Sequence, residues 1–267
     1  MTHAARHDRW QAGDSYDAYM GRWSRPLAAR FVGWLDLGPG LEWLDVGCGT
    51  GALSAAIAAD ADPAEVIAID ASEDFVARAR AKLGDPRVRF LTGRAESLPV
   101  ADASRDAVVS GLVLNFLPDR VAALAEMRRA ARPGGTVAFY VWDYPGGGLG
   151  FLDAFWKAAA AADPAAAALD EARRFPLCTP DALAGLAAEA GLTAVAGTAL
   201  EVATVFGDFD DLWKPFTLGA GPAPGYCASL APAARDRLRE ALDARLRREP
   251  DGGIAMTARA WAVRGLA

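Results

Sequence analysis

Short apolar runs alternate with alanine-rich helical segments between residues 41 and 142. Five of these runs are apolar through their middle, as strands covered on both faces should be: LEWLDV, EVIAID, RVRFLTG, DAVVSGL and TVAFYVW. Helix signals lie between them, since Ser72 precedes the acidic pair Glu73 and Asp74, and Asp119 precedes a second helical run. Strands alternating with helices predict βαβ units and a parallel sheet.

The alternation breaks after residue 142. DYPGGGLG reads as a loop, residues 151–172 read as helices interrupted at Asp163, and residues 219–225 (GAGPAPG) read as a second loop. SLAPAARDRLREALDARLRREP predicts an amphipathic helix. LTAVAGTALEVATVF and IAMTARAWAVRG predict two more strands, which can pair antiparallel at one edge of the sheet.

Composition and charge narrow the class of protein. The chain has 267 residues, of which 52% are hydrophobic, so it can bury a sizeable core. Its net charge of −6, without any lysine or arginine cluster, argues against a nucleic-acid partner. Three widely separated cysteines predict a reduced compartment and no structural zinc. A polar N-terminus and short apolar runs predict a cytoplasmic location and no membrane span.

Residues 44–51 read LDVGCGTG and place three alternating glycines between the first strand and a helix. Ligands of parallel sheets bind outside the carboxyl ends of the strands, and glycines there let backbone N–H groups meet a ligand without Cβ atoms in the way. Because Ala52 follows, the spacing also fits the looser dinucleotide pattern G-x-G-x-x-A, so it does not by itself exclude NAD. The phosphate-binding pattern G-x-x-x-x-G-K-[ST] is absent from the sequence.

Two carboxylates near the glycines help to distinguish a ligand that contains phosphates from a cationic ligand. Asp45 lies just before the first glycine, where a negative charge is unfavourable beside a pyrophosphate but favourable beside a cationic ligand. Asp70 ends the second strand and can accept hydrogen bonds from both hydroxyls of a ribose, each contributing about 1.5–3 kcal/mol. The sequence therefore favours a ligand without phosphates.

Four segments in order resemble the motifs of class I S-adenosylmethionine-dependent methyltransferases of the small-molecule type: LDVGCGTG, VIAIDAS, GRAESLPVADASRDAVVSGLVLNFLPD and RRAARPGGTVAFYVW. The resemblance covers residues 16–142 and implies an α/β fold with a Rossmann-like, doubly wound, mainly parallel seven-stranded sheet. The last strand is then antiparallel, and a helical lid or insertion is added. It further implies an N-terminal helical lid over 1–40, a cofactor-binding α/β core over 41–142, and a substrate-side helical insertion with the final strands over 143–267.

The resemblance implies S-adenosylmethionine as cofactor, no metal, and a small-molecule acceptor as partner. The implied cofactor-binding residues are Tyr16, Arg22, Asp45, Gly47, Gly49, Gly51, Asp70, Ala71, Arg94, Ala95, Glu96 and Ser110. Among these, the glycines pass the methionine part, Asp70 holds the ribose, and Tyr16 covers the cofactor while Arg22 pairs with its carboxylate. Ser110, at the end of the fourth strand, lines the methyl-transfer side.

The adenine side departs from the family pattern. Relatives commonly read G-D-A-E at the positions of residues 93–96, with the aspartate contacting the adenine amino group, whereas this chain has Arg94. An arginine accepts no hydrogen bond, so we expect adenine recognition from the backbone around Ala95 and Glu96, with Arg94 stacking on the ring.

The acceptor side is less specified. Both histidines, His3 and His7, lie near the start of the sequence, which leaves Asp143, Tyr144 or no side chain as general base. The acceptor-side candidates are Asn115, Trp142, Asp143, Tyr144, Trp213 and Phe216, whose aromatic members can shape an apolar pocket.

Two other functions stay open. A protein that binds S-adenosylmethionine without transferring its methyl group is compatible with the departure at Arg94. An NAD(P)-dependent oxidoreductase is disfavoured by Asp45 and would need a catalytic Tyr-x-x-x-Lys or a similar pattern, which the sequence lacks. The sequence does not determine the oligomeric state.

Overall fold

A computed structural model describes residues 20–219 and 221–267, and these residues form one seven-stranded sheet. Its strands are β1 Glu42–Val46, β2 Glu65–Asp70, β3 Val88–Thr92, β4 Arg105–Gly111, β5 Ala131–Trp142, β6 Thr193–Phe206 and β7 Ile254–Leu266. The strand order is β3-β2-β1-β4-β5-β7-β6. Strands β1 to β5 pair in parallel and β7 pairs antiparallel to β5. The predicted mainly parallel sheet with an antiparallel last strand is confirmed.

The described α-helices precede, connect or follow these strands. They are α1 Arg22–Leu35, α2 Ala52–Asp60, α3 Glu73–Lys82, α4 Arg120–Ala130, α5 Gly150–Ala162, α6 Glu171–Arg174, α7 Pro180–Glu189, α8 Phe209–Phe216, α9 Pro222–Ser229 and α10 Pro232–Asp243. None of them is long and apolar enough to span a membrane.

The chain folds into two compact units. The sheet unit comprises Ser24–Trp142, Leu177–Leu200 and Ala260–Ala267. The helical unit comprises Asp143–Pro176, Glu201–Arg259 and the described residues up to Trp23. The division into a lid, a cofactor-binding core and a substrate-side region concerns roles as well as boundaries, and it stays a prediction.

Local signals explain how the elements of the sheet unit begin. The hydroxyl oxygen of Ser72 accepts a hydrogen bond from Phe75 N at 3.3 Å, and Asp119 Oδ1 accepts one from Ala122 N at 2.9 Å. Both side chains satisfy a free N–H group of the first helical turn, so both predicted caps are confirmed. The central strands are buried on both faces, which agrees with their nearly continuous apolar runs.

Two elements differ from the sequence expectation. The segment 219–225, expected to be a loop, contains the start of α9, because Pro222 occupies the first helical turn, where a missing N–H is tolerated. Helix α10 ends at Asp243, so Leu246 lies beyond the apolar face formed by Leu238 and Leu242.

Candidate functional site

The glycine loop between β1 and α2 adopts a backbone that other residues rarely adopt. Gly47, Gly49 and Gly51 have φ angles of 77°, 52° and 90°. A Cβ atom on Gly47 would lie 2.6 Å from a methyl carbon of Val113. The loop therefore needs glycine for its conformation and for its close contact with the segment that follows β4.

The N–H groups of this loop are used inside the protein. The amides of Gly47 and Cys48 both donate to the carbonyl of Ile69, at 2.7 and 2.9 Å, and the amide of Gly51 donates to Cys48 O at 2.8 Å. The amide of Gly49 donates to a side chain described next. The expectation that these N–H groups meet a ligand is wrong for these four donors, so the glycines act by lacking side chains.

Asp70 joins the end of β2 to the glycine loop. Its Oδ2 accepts the hydrogen bond from Gly49 N at 2.9 Å, and its Oδ1 accepts one from Ser72 N at 2.8 Å. Burial raises the pKa of this carboxyl above its ordinary value, while these backbone donors oppose the rise. Each carboxylate oxygen can accept a second hydrogen bond, so the pair fits the two hydroxyls of a ribose.

Asp45 lies in β1 and is completely buried. Its Oδ2 accepts a hydrogen bond from Ser54 Oγ at 2.6 Å, whereas its Oδ1 has no donor among the described residues. Burial raises the pKa of Asp45 to about 7, and repulsion from Asp70 adds to the rise. A nearby positive charge would oppose both effects, because it favours the ionised carboxylate.

The site thus fits a cationic nucleoside better than a dinucleotide. A pyrophosphate is bound by free backbone N–H groups, and the four loop amides whose partners are given above are already used. The same loop lies beside two carboxylates, Asp45 and Asp70. This arrangement supplies acceptors for a ribose and negative charge for a sulfonium or ammonium group.

Comparison with known proteins agrees with this geometry. A family model described as a methyltransferase domain matches residues 44–139, which run from β1 into β5. This match assigns residues 44–139 to a methyltransferase domain. The glycine loop, Asp45 and Asp70 all lie within the matched residues of this domain.

Relatives of the methyltransferase domain include proteins with and without a named activity. An uncharacterised protein of Mycobacterium bovis is 33% identical over 149 residues, which are 55% of this chain and 53% of that protein. The malonyl-[acyl-carrier protein] O-methyltransferase of Serratia marcescens is 35% identical over 129 residues, which are 48% of this chain and 49% of that enzyme. The matches span about half the length of these curated relatives.

A solved structure resembles a larger part of the chain. Phosphoethanolamine N-methyltransferase 2 of Haemonchus contortus, in complex with S-adenosyl-L-methionine, aligns with a TM-score of 0.61 at 16% identity. The alignment covers 100% of this chain and 60% of that one. This likeness concerns the fold, and it supports the sheet order described above.

The residues expected to lie beside the adenine are largely accessible to solvent. The side chain of Arg94 is 69% exposed and its nearest acidic partner is Glu96, with Nη2 and Oε2 3.5 Å apart. Ala71 is exposed, and Ala95 is partly buried. The stacking of Arg94 on an adenine ring and recognition by the backbone around Ala95 stay predictions.

The expected lid residues lie outside the methyltransferase domain. Tyr16 falls outside the described residues. Arg22 belongs to the helical unit, where its Nη1 and Nη2 bind the two carboxylate oxygens of Asp211 at 2.8 and 3.2 Å. This pair lowers the pKa of Asp211, and the guanidinium also stacks on Trp23 and Phe206. Arg22 therefore already has a carboxylate partner within the protein. The sequence had suggested the carboxylate of the cofactor as its partner.

The end of β4 is tightly packed. Ser110, expected on the methyl-transfer side, donates its hydroxyl hydrogen to Val46 O at 2.8 Å and so ties β4 to β1. A Cβ atom on Gly111 would lie 2.6 Å from the hydroxyl oxygen of Tyr140. The side chain of Ser110 is thus used within the sheet.

The acceptor-side candidates fall into both units. Asn115 and Trp142 are buried in the sheet unit. Trp213 and Phe216 are buried in the helical unit, where Phe216 stacks on Phe155 with ring centroids 4.3 Å apart. The last two side chains therefore form part of the core of the helical unit.

Asp143 is buried and has partners within the helical unit. It is 1% exposed, and its Oδ2 accepts hydrogen bonds from Arg259 Nε at 2.8 Å and binds Arg259 Nη2 at 2.6 Å. Its Oδ1 accepts a hydrogen bond from Gly146 N at 2.9 Å. Both carboxylate oxygens of Asp143 therefore have partners within the protein, and its role as a general base stays a prediction.

Tyr144 lines a small pocket of about 20 Å³ in the helical unit, which has room for about one water molecule. Its neighbours there combine aliphatic, aromatic and acidic side chains, including Leu149, Leu152, Asp153, Trp156 and Asp170. Trp156 also donates its indole N–H to the buried carboxyl of Glu171, whose pKa burial raises to about 8.

Two of these contacts were missed from the sequence. Ser54, the partner of Asp45, is a polar residue in the otherwise apolar start of α2, and that contrast is a usable signal. Glu171 is a charged residue type in a region of alanines, but its burial cannot be inferred from that pattern.

Proposed function

We propose that the protein transfers the methyl group of S-adenosylmethionine to a small-molecule acceptor. The observation that carries the proposal is the glycine loop of the methyltransferase domain. Four of its backbone amides donate to acceptors inside the protein, and the carboxylates of Asp45 and Asp70 lie close to it. Such a site suits a cationic nucleoside and offers little to a pyrophosphate.

The cofactor, when bound, supplies an activated methyl group on a positively charged sulfur. The protein supplies binding and orientation. Asp70 accepts hydrogen bonds from the ribose while its own position is fixed by Gly49 and Ser72. Asp45 is buried in β1 and contributes negative charge when it is ionised, which a bound cation favours. Holding two reactants in attack geometry can lower a barrier by about 7–11 kcal/mol, so positioning accounts for much of the expected catalysis.

The acceptor is proposed to be a small molecule, and Tyr144 is kept as a candidate on the acceptor side. Tyr144 and Asp143, which is paired with Arg259, are the two candidate bases that the sequence suggested. An acceptor that is already ionised, such as a carboxylate, needs no base. The Serratia relative methylates an oxygen of a malonyl group, which makes carboxylic acids a useful first class in an acceptor screen.

Calorimetric titration of the wild type with S-adenosylmethionine and, separately, with NAD tests the proposal. We expect saturable binding of S-adenosylmethionine and no binding of NAD. Asp70→Ala should weaken binding of the cofactor by about tenfold or more, because two charge-assisted hydrogen bonds are lost. Asp70→Asn keeps the shape of the side chain but sets an amide NH2 against the N–H of Gly49 or Ser72, so it should weaken binding as well. Asp74→Ala, an exposed carboxylate near the start of α3, is the matched control.

Turnover is then measured as S-adenosylhomocysteine released with a panel of carboxylic acids, phenols and amines. Release that depends on one acceptor class supports the proposal. Binding of NAD by the wild type, or of neither ligand, would contradict it. Tight binding of S-adenosylmethionine with no release across the panel would instead favour a binding protein without transfer activity.

A further inference from the structure

A buried hydrogen-bond donor without a protein acceptor follows β4. Asn115 lies in a short 3-10 turn, Leu114–Phe116, and is only 1% exposed. Its Nδ2 is buried and finds no acceptor among the described residues. Buried side-chain amides are nearly always hydrogen-bonded, because an unpaired donor loses its interaction with water without replacement. The position of Asn115 therefore needs an explanation.

A second donor of the same kind lies beside it. Arg120 is the first residue of α4, and its Nη2 donates to the backbone carbonyl of Asn115 at 3.0 Å. Its Nε is buried without an acceptor in the described part of the chain. Asp119, the nearest carboxylate along the chain, accepts from Ala122 N as the helix cap. Arg120 as a whole residue is partly exposed, and it forms no ion pair with any described carboxylate.

Unpaired hydrogen-bond donors indicate the chemistry of the ligand that could bind them. A guanidinium has five N–H donors and no acceptor, and its planar edge matches the two oxygens of a carboxylate. An amide nitrogen beside it adds donors and no negative charge. The pair Arg120 and Asn115 is thus suited to an oxyanion and unsuited to a cation or to a purely apolar group.

The same segment contacts the cofactor loop. Val113 packs against Gly47, whose missing Cβ atom would lie 2.6 Å from a valine methyl carbon. Leu112 has a φ of 63°, a left-handed conformation that costs energy for a residue with a side chain. Backbone of this kind is concentrated at ligand sites and at segments that move. Residues 112–115 therefore connect the glycine loop to the two unpaired donors within one unit.

We propose that Arg120 and Asn115 form a carboxylate-binding site next to the glycine loop. The ligand meets the partly exposed guanidinium first, and a shift of the 3-10 turn brings the amide of Asn115 to its second oxygen. The identity of the carboxylate rests on the proposed function, because it belongs either to the amino-acid part of S-adenosylmethionine or to the methyl acceptor. One observation supports the cofactor as the source. Arg22 was expected to pair with the cofactor carboxylate but binds Asp211, so that carboxylate needs another partner.

The test compares ligands that differ by one carboxylate. S-Adenosylmethionine and its decarboxylated analogue are titrated into the wild type, Arg120→Gln and Arg120→Lys. Benzoate and its neutral match benzamide are titrated into the same proteins, with and without S-adenosylhomocysteine. Arg128→Gln is the control, because it removes the same charge from an exposed position near the other end of α4.

Each source gives its own result. If the cofactor supplies the carboxylate, the wild type binds S-adenosylmethionine about tenfold or more tightly than the decarboxylated analogue. Arg120→Gln abolishes that preference, Arg120→Lys keeps part of it and Arg128→Gln keeps all of it. If the acceptor supplies it, both cofactor forms bind alike to every variant. Saturable binding of benzoate over benzamide is then lost in Arg120→Gln.

Two results would overturn the inference. One is an Arg120→Gln protein with wild-type circular dichroism that keeps the wild-type preference for the carboxylated ligand in both pairs. The other is a wild type that shows no preference in either pair. Failure of the proposed function looks different, since the wild type would then bind neither cofactor form while benzoate binding still depended on Arg120.

Discussion

Removing the charge of Asp45 should change how the stability of the protein depends on pH. Burial raises the pKa of this carboxyl from 3.8 to about 7 in the folded protein. The unfolded chain releases the proton near its ordinary value, so the folded state binds more protons between pH 4 and 7. Stability therefore falls as the pH rises through this range and is constant above it with respect to this group.

The size of the effect follows from the difference in pKa. Each pH unit corresponds to about 1.36 kcal/mol, so the difference of roughly 3 units costs about 4 kcal/mol once Asp45 is ionised. Between pH 5 and pH 8 the expected loss is about 3 kcal/mol. Asp45→Asn does not titrate and can still accept the hydrogen bond from Ser54.

Urea unfolding of the wild type and Asp45→Asn at pH 5, 6, 7 and 8 measures this loss. The free energy of unfolding of Asp45→Asn, relative to the wild type, should rise by about 3 kcal/mol from pH 5 to pH 8. Asp74→Asn, an exposed carboxylate, is the control and should show little change. A relative free energy that stays constant within about 0.5 kcal/mol would refute the assigned burial and charge of Asp45.

The same experiment extends to ligand binding. A cationic ligand favours the ionised carboxylate, so saturating S-adenosylmethionine should flatten the pH profile of the wild type. Its affinity should rise from pH 5 to pH 7 in the wild type more than in Asp45→Asn. An equal rise in both proteins would show that Asp45 does not sense the cofactor.

Three further predictions follow from packing and pairing. Asp143→Asn should lower the free energy of unfolding, measured in urea, by about 3 kcal/mol, because Arg259 loses its buried carboxylate partner. Loss of turnover with unchanged stability would instead indicate that Asp143 is a general base. Cys48 should react with iodoacetamide far more slowly in the folded protein than in urea, by peptide mass spectrometry, because burial raises its pKa. Gly111→Ala should cost about 1–3 kcal/mol in thermal unfolding through its clash with Tyr140, whereas Gly185→Ala, a helical position with open space, should not destabilise.

The sheet and the glycine loop were predictable because their signals are local. The run EVIAID coincides with β2, since a strand buried on both faces is apolar throughout and its ends are marked by polar residues. The meeting of Asp70 with the glycine loop follows from topology, because the carboxyl ends of neighbouring parallel strands lie at one edge. What the loop amides bind was not predictable, since that depends on the carbonyl of Ile69 in the next strand.

Contacts between distant parts of the chain could not be predicted from the sequence. Asp143 lies 116 residues from Arg259, and Arg22 lies 189 residues from Asp211. No periodicity or spacing in the sequence relates such positions, so two charged residues with structural partners looked available for catalysis or binding. The unpaired donors at Asn115 and Arg120 result from packing, so they likewise could not be predicted from the sequence.

The position of β7 has a consequence for how the protein is made. Although it is the last of the seven strands along the chain, it lies inside the sheet, between β5 and β6. Strand β6 therefore leaves the ribosome before its neighbour exists, and at about 5–20 residues per second it waits roughly 3–12 s for β7. During that interval β5 and β6 both expose an unpaired edge to other nascent chains. Chaperone dependence during synthesis should accordingly be concentrated between the translation of β6 and the translation of β7.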